Sequence, residues 1–345
     1  MKHCFFLLIF LLAIPYCSFA EEQQASKEEL PIPLGLPSLK WPQDNPYSKK
    51  KAELGRILYF DKRLSADGTI SCASCHSIKR AFADKKTISV GIKGRKGTRH
   101  APTVINAAYQ PFQFWDGRAK SLEDQCKGPL GNPKEMALSS DPHEALSECV
   151  ERIKKIQGYG LLFKDAFGSD EITLDKMIKS IATFERTLLS GNSPYDRYMA
   201  GDKKAMTEEQ IQGLKIFNKS MCNNCHWEPL FSDGKFHNIG VGMDHENPDL
   251  GRYDITKNEK DWGAFKTPTL RETSLSYPYM HDGSIKTLEE VIDYYDKGGN
   301  PNKNLHHTMK PLHLSDADKK AMLSFLKALN GEGWQHFGPP EQFPK

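Results

Sequence analysis

Cys72-Ala73-Ser74-Cys75-His76 and Cys222-Asn223-Asn224-Cys225-His226 are two copies of one pentapeptide, C-x-x-C-H, in a chain of 345 residues. That pattern is the attachment signal of a c-type haem: two thiols add across the porphyrin vinyl groups and the adjacent imidazole becomes an axial iron ligand. The spacing suits a single helical turn, which presents both sulfurs and the ring to one haem edge. C-x-x-C also serves redox dithiols and zinc sites. A dithiol has no use for a following histidine twice, and pairs 150 residues apart lack the compact ligand spacing of a zinc module. The residues therefore imply two covalent haems, held by Cys72, Cys75 and His76 and by Cys222, Cys225 and His226.

The amino terminus supplies a matching compartment. Lys2 and His3 precede an apolar run from Phe5 to Ile14, and Ser18-Phe19-Ala20 offers a small-x-small cleavage site before Glu21. The run is well short of the ~20 residues of a spanning helix, so residues 1–20 read as a cleaved secretory signal and the expected location is the periplasm. Cys17 follows Pro15-Tyr16, a poor context for lipid attachment. Residues 21–45, rich in Pro, Glu, Gln and Lys, read as a mobile or extended lead-in. Cys126 and Cys149 remain outside the signal and the haem motifs; in an oxidising compartment they form either a disulfide or two unlinked buried thiols. Hydrophobic residues make up 38% of the chain, which is ordinary for a globular protein and argues against disorder. The net charge of +3 is spread without a basic block, so nothing points to nucleic acid.

The two halves correspond without gaps at an offset of 166: Pro102-Thr103 with Pro268-Thr269, Asp116-Gly117 with Asp282-Gly283, Leu122-Glu123 with Leu288-Glu289. Apolar residues at three- and four-residue spacing predict a helix before each haem motif, over Glu53–Phe60 and Gln210–Phe217, and two more over Leu174–Leu189 and Asp316–Leu329. β-branched alternation is scarce. The expected fold is mostly α, with two cytochrome c-like haem domains related by internal duplication and long haem-wrapping loops. The expected domains are residues 46–204 and 205–330, followed by a C-terminal tail at 331–345. The repeat breaks where Trp115 answers to His281, and where Gly128 to Met136 answers to nothing in the second half. Two like haems in unlike pockets suggest a division of labour.

From Pro46 to Leu329 the chain resembles the bacterial di-haem cytochrome c peroxidase family, which includes the MauG-type enzyme that matures methylamine dehydrogenase. CASCH, the segment RHAPTVINAAYQPFQFWDGRAKSLEDQ, the Glu135-Met136 pair, CNNCH, and TPTLRETSLSYPYMHDGSIKTLEEV carry the resemblance. It implies that the N-terminal haem meets peroxide and the C-terminal haem takes electrons from a small donor, a cytochrome c or cupredoxin. It also implies roles for Glu135 as the catalytic acid/base, Gln125 as its helper and Trp115 as the aromatic bridge between haems. Heterolytic cleavage of an O–O bond needs a group that carries a proton from one oxygen to the other, and a carboxyl in an apolar pocket suits that task. Seen without the family, Glu135 reads as a solvated loop charge and Trp115 as core packing. Family members are often dimers, so a homodimer is a further expectation.

Three positions depart from the family pattern. Ile92 stands where many members carry a histidine that caps the peroxidatic iron, so the first haem is expected to be open without reductive activation. His100 replaces the asparagine that binds an interdomain calcium, which leaves only the carbonyls of Ser276 and Pro278 as natural ligands and makes calcium doubtful. Tyr295 occupies the position of the second haem's distal methionine, as in the MauG-type arrangement. Its helical spacing with Leu288, Val291 and Ile292 equally suits a core-facing residue, and Met309, His306 and His307 are substitute ligands. The leading expectation is reduction of hydrogen peroxide. The alternatives are MauG-like oxidation of a partner protein and a non-catalytic di-haem electron carrier.

Overall fold

The computed structural model describes residue 1 and residues 28–345, so the leader and its cleavage site lie outside the described residues. From Glu28 to Ser48 the chain runs without helix or strand. It is pinned to the rest of the protein: Leu34 O accepts the Asn192 N–H at 2.7 Å, Pro37 O accepts the Tyr109 hydroxyl at 2.8 Å, and the buried Asn45 donates to Glu123 at 2.7 Å.

The helices follow in order: α1 (Lys49–Phe60), α2 (Cys72–Cys75), α3 (Leu122–Gly131), α4 (Pro142–Lys154), α5 (Gln157–Phe167), α6 (Leu174–Thr187), α7 (Pro194–Met199), α8 (Glu208–Lys219), α9 (Tyr253–Thr256), α10 (Leu288–Asp296) and α11 (Asp316–Lys327). Among the described residues the only strands are β1 (Phe236–His237) and β2 (Phe265–Lys266), an antiparallel pair. The fold is mostly α, and all four helices expected from apolar periodicity are present. Hydroxyl side chains start them, since an oxygen that accepts an N–H of the first turn satisfies a group with no partner inside the helix. Ser48, Ser121, Thr173, Thr207, Thr287 and Ser315 do so for α1, α3, α6, α8, α10 and α11.

Two helix crossings organise the molecule. α1 packs on α6 through Gly55, where a Cβ would overlap the carbonyl oxygen of Ser180. α8 packs on α11 through Gly213, where a Cβ would overlap the carbonyl oxygen of Ala321. In each pair the absent side chain sets the helix separation. Around the first crossing lies a core of Leu54, Leu58, Tyr59, Phe82, Phe163 and Phe184; around the second lies one of Tyr195, Phe217, Phe231, Ile292, Phe325 and Leu326. Tyr195 shows that α7 packs in the second core although it precedes residue 204. The segment expected as a tail also differs: Trp334 is buried in the first core, and Arg63 and Gly158 bond the carbonyls of Pro344 and Lys345 at 2.9 and 2.8 Å. Gly331, Gly333, Gly338, Pro339 and Pro340 interrupt any periodicity there, so this packing has no local signature. Arg271, 1% exposed, holds Asp196 of α7 through two bonds of 2.8 Å, and so ties α7 to the loop that borders the second haem motif.

Positions 166 apart share backbone geometry. Asn106 and Glu272 have φ of 60° and 61°, Phe114 and Met280 of 66° and 72°, and Gly117 and Gly283 of 67° and 64°. The isolated bridges Gln113–Ala119 and Tyr279–Ile285 fall at the same offset. Cys126 and Cys149 are both buried free thiols in the structure, the second of the two arrangements expected for them.

Candidate functional site

Each C-x-x-C-H motif folds as one tight turn, α2 in the first half and a 3-10 turn over Cys222–Asn224 in the second. The N–H of His76 closes on Cys72 O and that of His226 on Cys222 O, both at 2.9 Å. A carbonyl can only accept, so His76 Nδ1 carries the proton it shares with Phe82 O and Pro102 O at 3.1 Å each, and His226 Nδ1 the one it donates to Phe231 O at 2.9 Å. Both Nε2 lone pairs are thereby left free for a metal, with the ring tautomer fixed from behind. The four motif thiols form no disulfide. Burial raises the Cys75 thiol to about 11 and lifts Cys72 further still, so neither is the low-pKa thiolate of a redox dithiol.

Each motif opens on its own cavity. The N-terminal cavity, about 380 Å³, is bordered by Cys72, Cys75, His76, Gln125, Glu135 and Trp115. The C-terminal cavity, about 230 Å³, is bordered by Cys222, Cys225, His226, Tyr295, Met309 and His306. Free thiols, a correctly protonated imidazole and an apolar chamber at both motifs fit a covalently attached haem. Trp115 and His100 border both cavities. Ser276 and Pro278 border the C-terminal one. His307 borders neither.

Three residues 10 or 20 positions apart in the sequence thus meet in the N-terminal cavity. α3 carries Gln125, and the turn after it carries Glu135. Asn132 builds that turn: its backbone oxygen accepts the N–H groups of Glu135, Met136 and Ala137 at 2.9–3.0 Å, and its side-chain amide donates to Glu135 Oε1 at 2.6 Å. Burial raises the Glu135 pKa, with the Asn132 bond and the Arg118 charge opposing. The carboxyl is therefore held by Asn132, and no bond joins it to Gln125, which leaves peroxide rather than the carboxylate for Gln125 to orient. Ile92 is fully buried outside the cavity and donates its N–H to Glu135 O at 2.9 Å. Where a capping histidine was looked for, an apolar anchor steadies the Glu135 turn instead.

Asn132 and Glu185 were missed in the sequence. Glu185, on α6, is 5% exposed and borders the N-terminal cavity; its Oε2 has no hydrogen-bond partner among the described residues. Burial raises it to about 8, with Arg186 opposing and Glu123 adding. The Asn132-x-x-Glu135 spacing was the available signal for the first. In the C-terminal cavity Tyr295 faces the chamber, and burial raises its phenol, whereas Tyr294 turns its hydroxyl to Ile239 O at 2.9 Å.

Residues 49–204 match the family model described as di-haem cytochrome c peroxidase. The chain is 40% identical to the cytochrome c551 peroxidase of Nitrosomonas europaea over 83% of this chain and 82% of that one. It is 39% identical to the methylamine utilization protein MauG of Methylorubrum extorquens over 86% and 82%. Among solved structures it is similar to a MauG-like protein associated with microbial copper homeostasis, with a TM-score of 0.84, 33% identity, and coverage of 91% of this chain and 100% of that one. With two haem-attachment turns in two chambers and relatives of this similarity along most of its length, the chain belongs to the di-haem cytochrome c peroxidase family, haem-dependent oxidoreductases with two c-type haems.

Proposed function

We propose that this protein reduces hydrogen peroxide to two molecules of water in the periplasm, using two protons and two electrons from a small donor protein, a cytochrome c or cupredoxin. The observation that carries this reading is Glu135: a buried carboxyl, oriented by Asn132, on the wall of the chamber that also holds Cys72, Cys75 and His76. The haem of that chamber supplies the iron at which peroxide exchanges electrons. Glu135 takes the proton from one peroxide oxygen and delivers it to the other, which then leaves as water. A raised pKa keeps the carboxyl close to the range in which it can both accept and donate. Asn132 fixes which carboxylate oxygen faces the chamber, and Gln125 orients the peroxide. Ile92, which stands where a capping histidine would be, is buried outside this chamber, which supports a site open without reductive activation. Trp115, bordering both chambers, shortens the electron path between them. The shared backbone geometry at an offset of 166 supports an origin by duplication of one haem domain.

A second reading, oxidation of a partner protein's side chains, is favoured by Tyr295 on the wall of the C-terminal chamber. One stopped-flow experiment separates the readings: peroxide mixed with holo-protein, with and without reduced cytochrome c. Rapid donor oxidation is the expected result. A long-lived oxidised species that forms without donor and is indifferent to it would favour the second reading, and inertness under both conditions a plain electron carrier.

A further inference from the structure

His100 is held at every polar atom but one. Its N–H donates to His281 O at 2.7 Å, its carbonyl accepts Trp115 Nε1–H at 2.8 Å, and its ring Nδ1 meets Lys86 O at 3.0 Å. The remaining atom, Nε2, is buried without a partner, in a residue 3% exposed that borders both chambers. Buried polar groups are rarely left unpaired, and each exception calls for an absent partner. A second basic side chain borders the same C-terminal chamber with only a neutral partner. Lys266 donates its backbone N–H to the carbonyl of Trp115 at 2.8 Å; its ammonium borders the C-terminal chamber and reaches only the neutral Gln110 Oε1, at 3.4 Å. Trp115 therefore clamps His100 with its indole and Lys266 with its carbonyl; both residues border the C-terminal chamber, and neither basic nitrogen has a carboxylate partner.

We propose that His100 and Lys266 form an anion seat for haem carboxylate groups at the wall shared by the two chambers, so that one imidazole is electrostatically tied to both haems. A haem carries two propionate side chains, and an anion is the partner that suits an ammonium without a carboxylate and an imidazole that takes up a proton beside it. Because Nδ1 must donate to Lys86 O, Nε2 of the neutral ring can only accept. Meeting a carboxylate needs a proton there, so the seat binds as an imidazolium. Asp84 favours that charge, whereas burial and His76 oppose it. Burial likewise lowers the Lys266 ammonium, to about 8 while it lacks an anion. The seat makes a divalent cation at this joint unnecessary. The inference requires the two haems but not the peroxidase reading.

The test is spectroelectrochemical titration of the holo-protein and of its His100→Leu, His100→Gln and Lys266→Met variants, with haem content and ferric EPR recorded for each. Removing positive charge beside an anion disfavours the reduced haem. His100→Leu should therefore lower both midpoint potentials, His100→Gln should lower both by less because an amide can still donate, and Lys266→Met should lower mainly the C-terminal one. The ferric ligand signals should not change. Potentials that stay put, a shift confined to one haem in His100→Leu, or loss of a low-spin ferric signal would overturn the proposal; the last would make His100 an iron ligand. A shift produced in the wild type by a calcium chelator would also overturn it, since a metal ion would then couple the haems. If His100→Leu loads haem poorly, His100→Gln carries the test.

Discussion

Replacing Glu185 with glutamine should remove a pH-dependent weakness of the native state. Burial raises this carboxyl from an ordinary 4.5 to about 8. In the unfolded chain the group ionises near its ordinary value, while in the folded protein it stays protonated until the pH approaches the raised one. Stability from this site is thus fully present below about pH 4.5 and is lost as pH rises, at roughly 1.4 kcal/mol per pH unit across that window. The limit over the whole window is about 5 kcal/mol. Water penetration and relaxation around a charge in a protein interior commonly halve such figures, which leaves about 2–3 kcal/mol as the expected effect. Glutamine keeps the shape and cannot ionise. Urea unfolding of the holo-protein, followed by far-UV circular dichroism between about pH 5 and 8, reads the difference directly. The variant should gain on the wild type steadily as pH rises, with an unchanged m-value. Parallel stability curves across that range would refute the reasoning, because they would mean that Glu185 is ionised in the native state or paired through a solvent contact.

Glu135→Gln should lower peroxide turnover by ~10²–10⁴ with haem content and the resting ferric spectrum intact, as measured by stopped-flow donor oxidation. Asn132→Ala, which leaves the carboxyl but frees it, should cost about tenfold, the equivalent of one hydrogen bond. Tyr295→Phe should change the ferric spectrum of the C-terminal haem; an identical spectrum would remove Tyr295 as an iron ligand and leave Met309 and His306 on that wall. Gly55→Ala should destabilise the protein by about 1–3 kcal/mol or more in urea unfolding, because its methyl group meets the backbone of α6 rather than a side chain that can move.

The sequence made the haem turns and the major helices legible for a simple reason: both are local. Two thiols and an imidazole within five residues declare themselves, and so does the apolar spacing of α1, α6, α8 and α11. Glu135, Gln125 and Trp115 are not local to His76, and only resemblance gathered them before the chain was folded. Asn132 was overlooked because an amide in a Gly-Asn-Pro turn reads as turn chemistry, and its second task depends on where α3 ends. Glu185 was overlooked for a different reason. Periodicity assigns a charged residue to a solvent face, but α6 is buried from Ser180 to Thr187 on every side, so its polar face became part of a cavity wall. Trp334 was unreadable because its partners, Phe82 among them, lie far away in the chain.

The return of residues 334–345 to the first core bears on the order in which the protein can be made. A chain threaded out from its amino terminus delivers Cys72–His76 and the α1/α6 pair early, yet Trp334 and the carbonyls of Pro344 and Lys345, which pack on the first core, arrive only after the whole second half. The first core thus stays incomplete until the last residues of the chain have been made. Phe82, whose carbonyl accepts the His76 Nδ1 proton, gains its Trp334 neighbour only then, so the support behind the first haem histidine is completed from the far end of the chain.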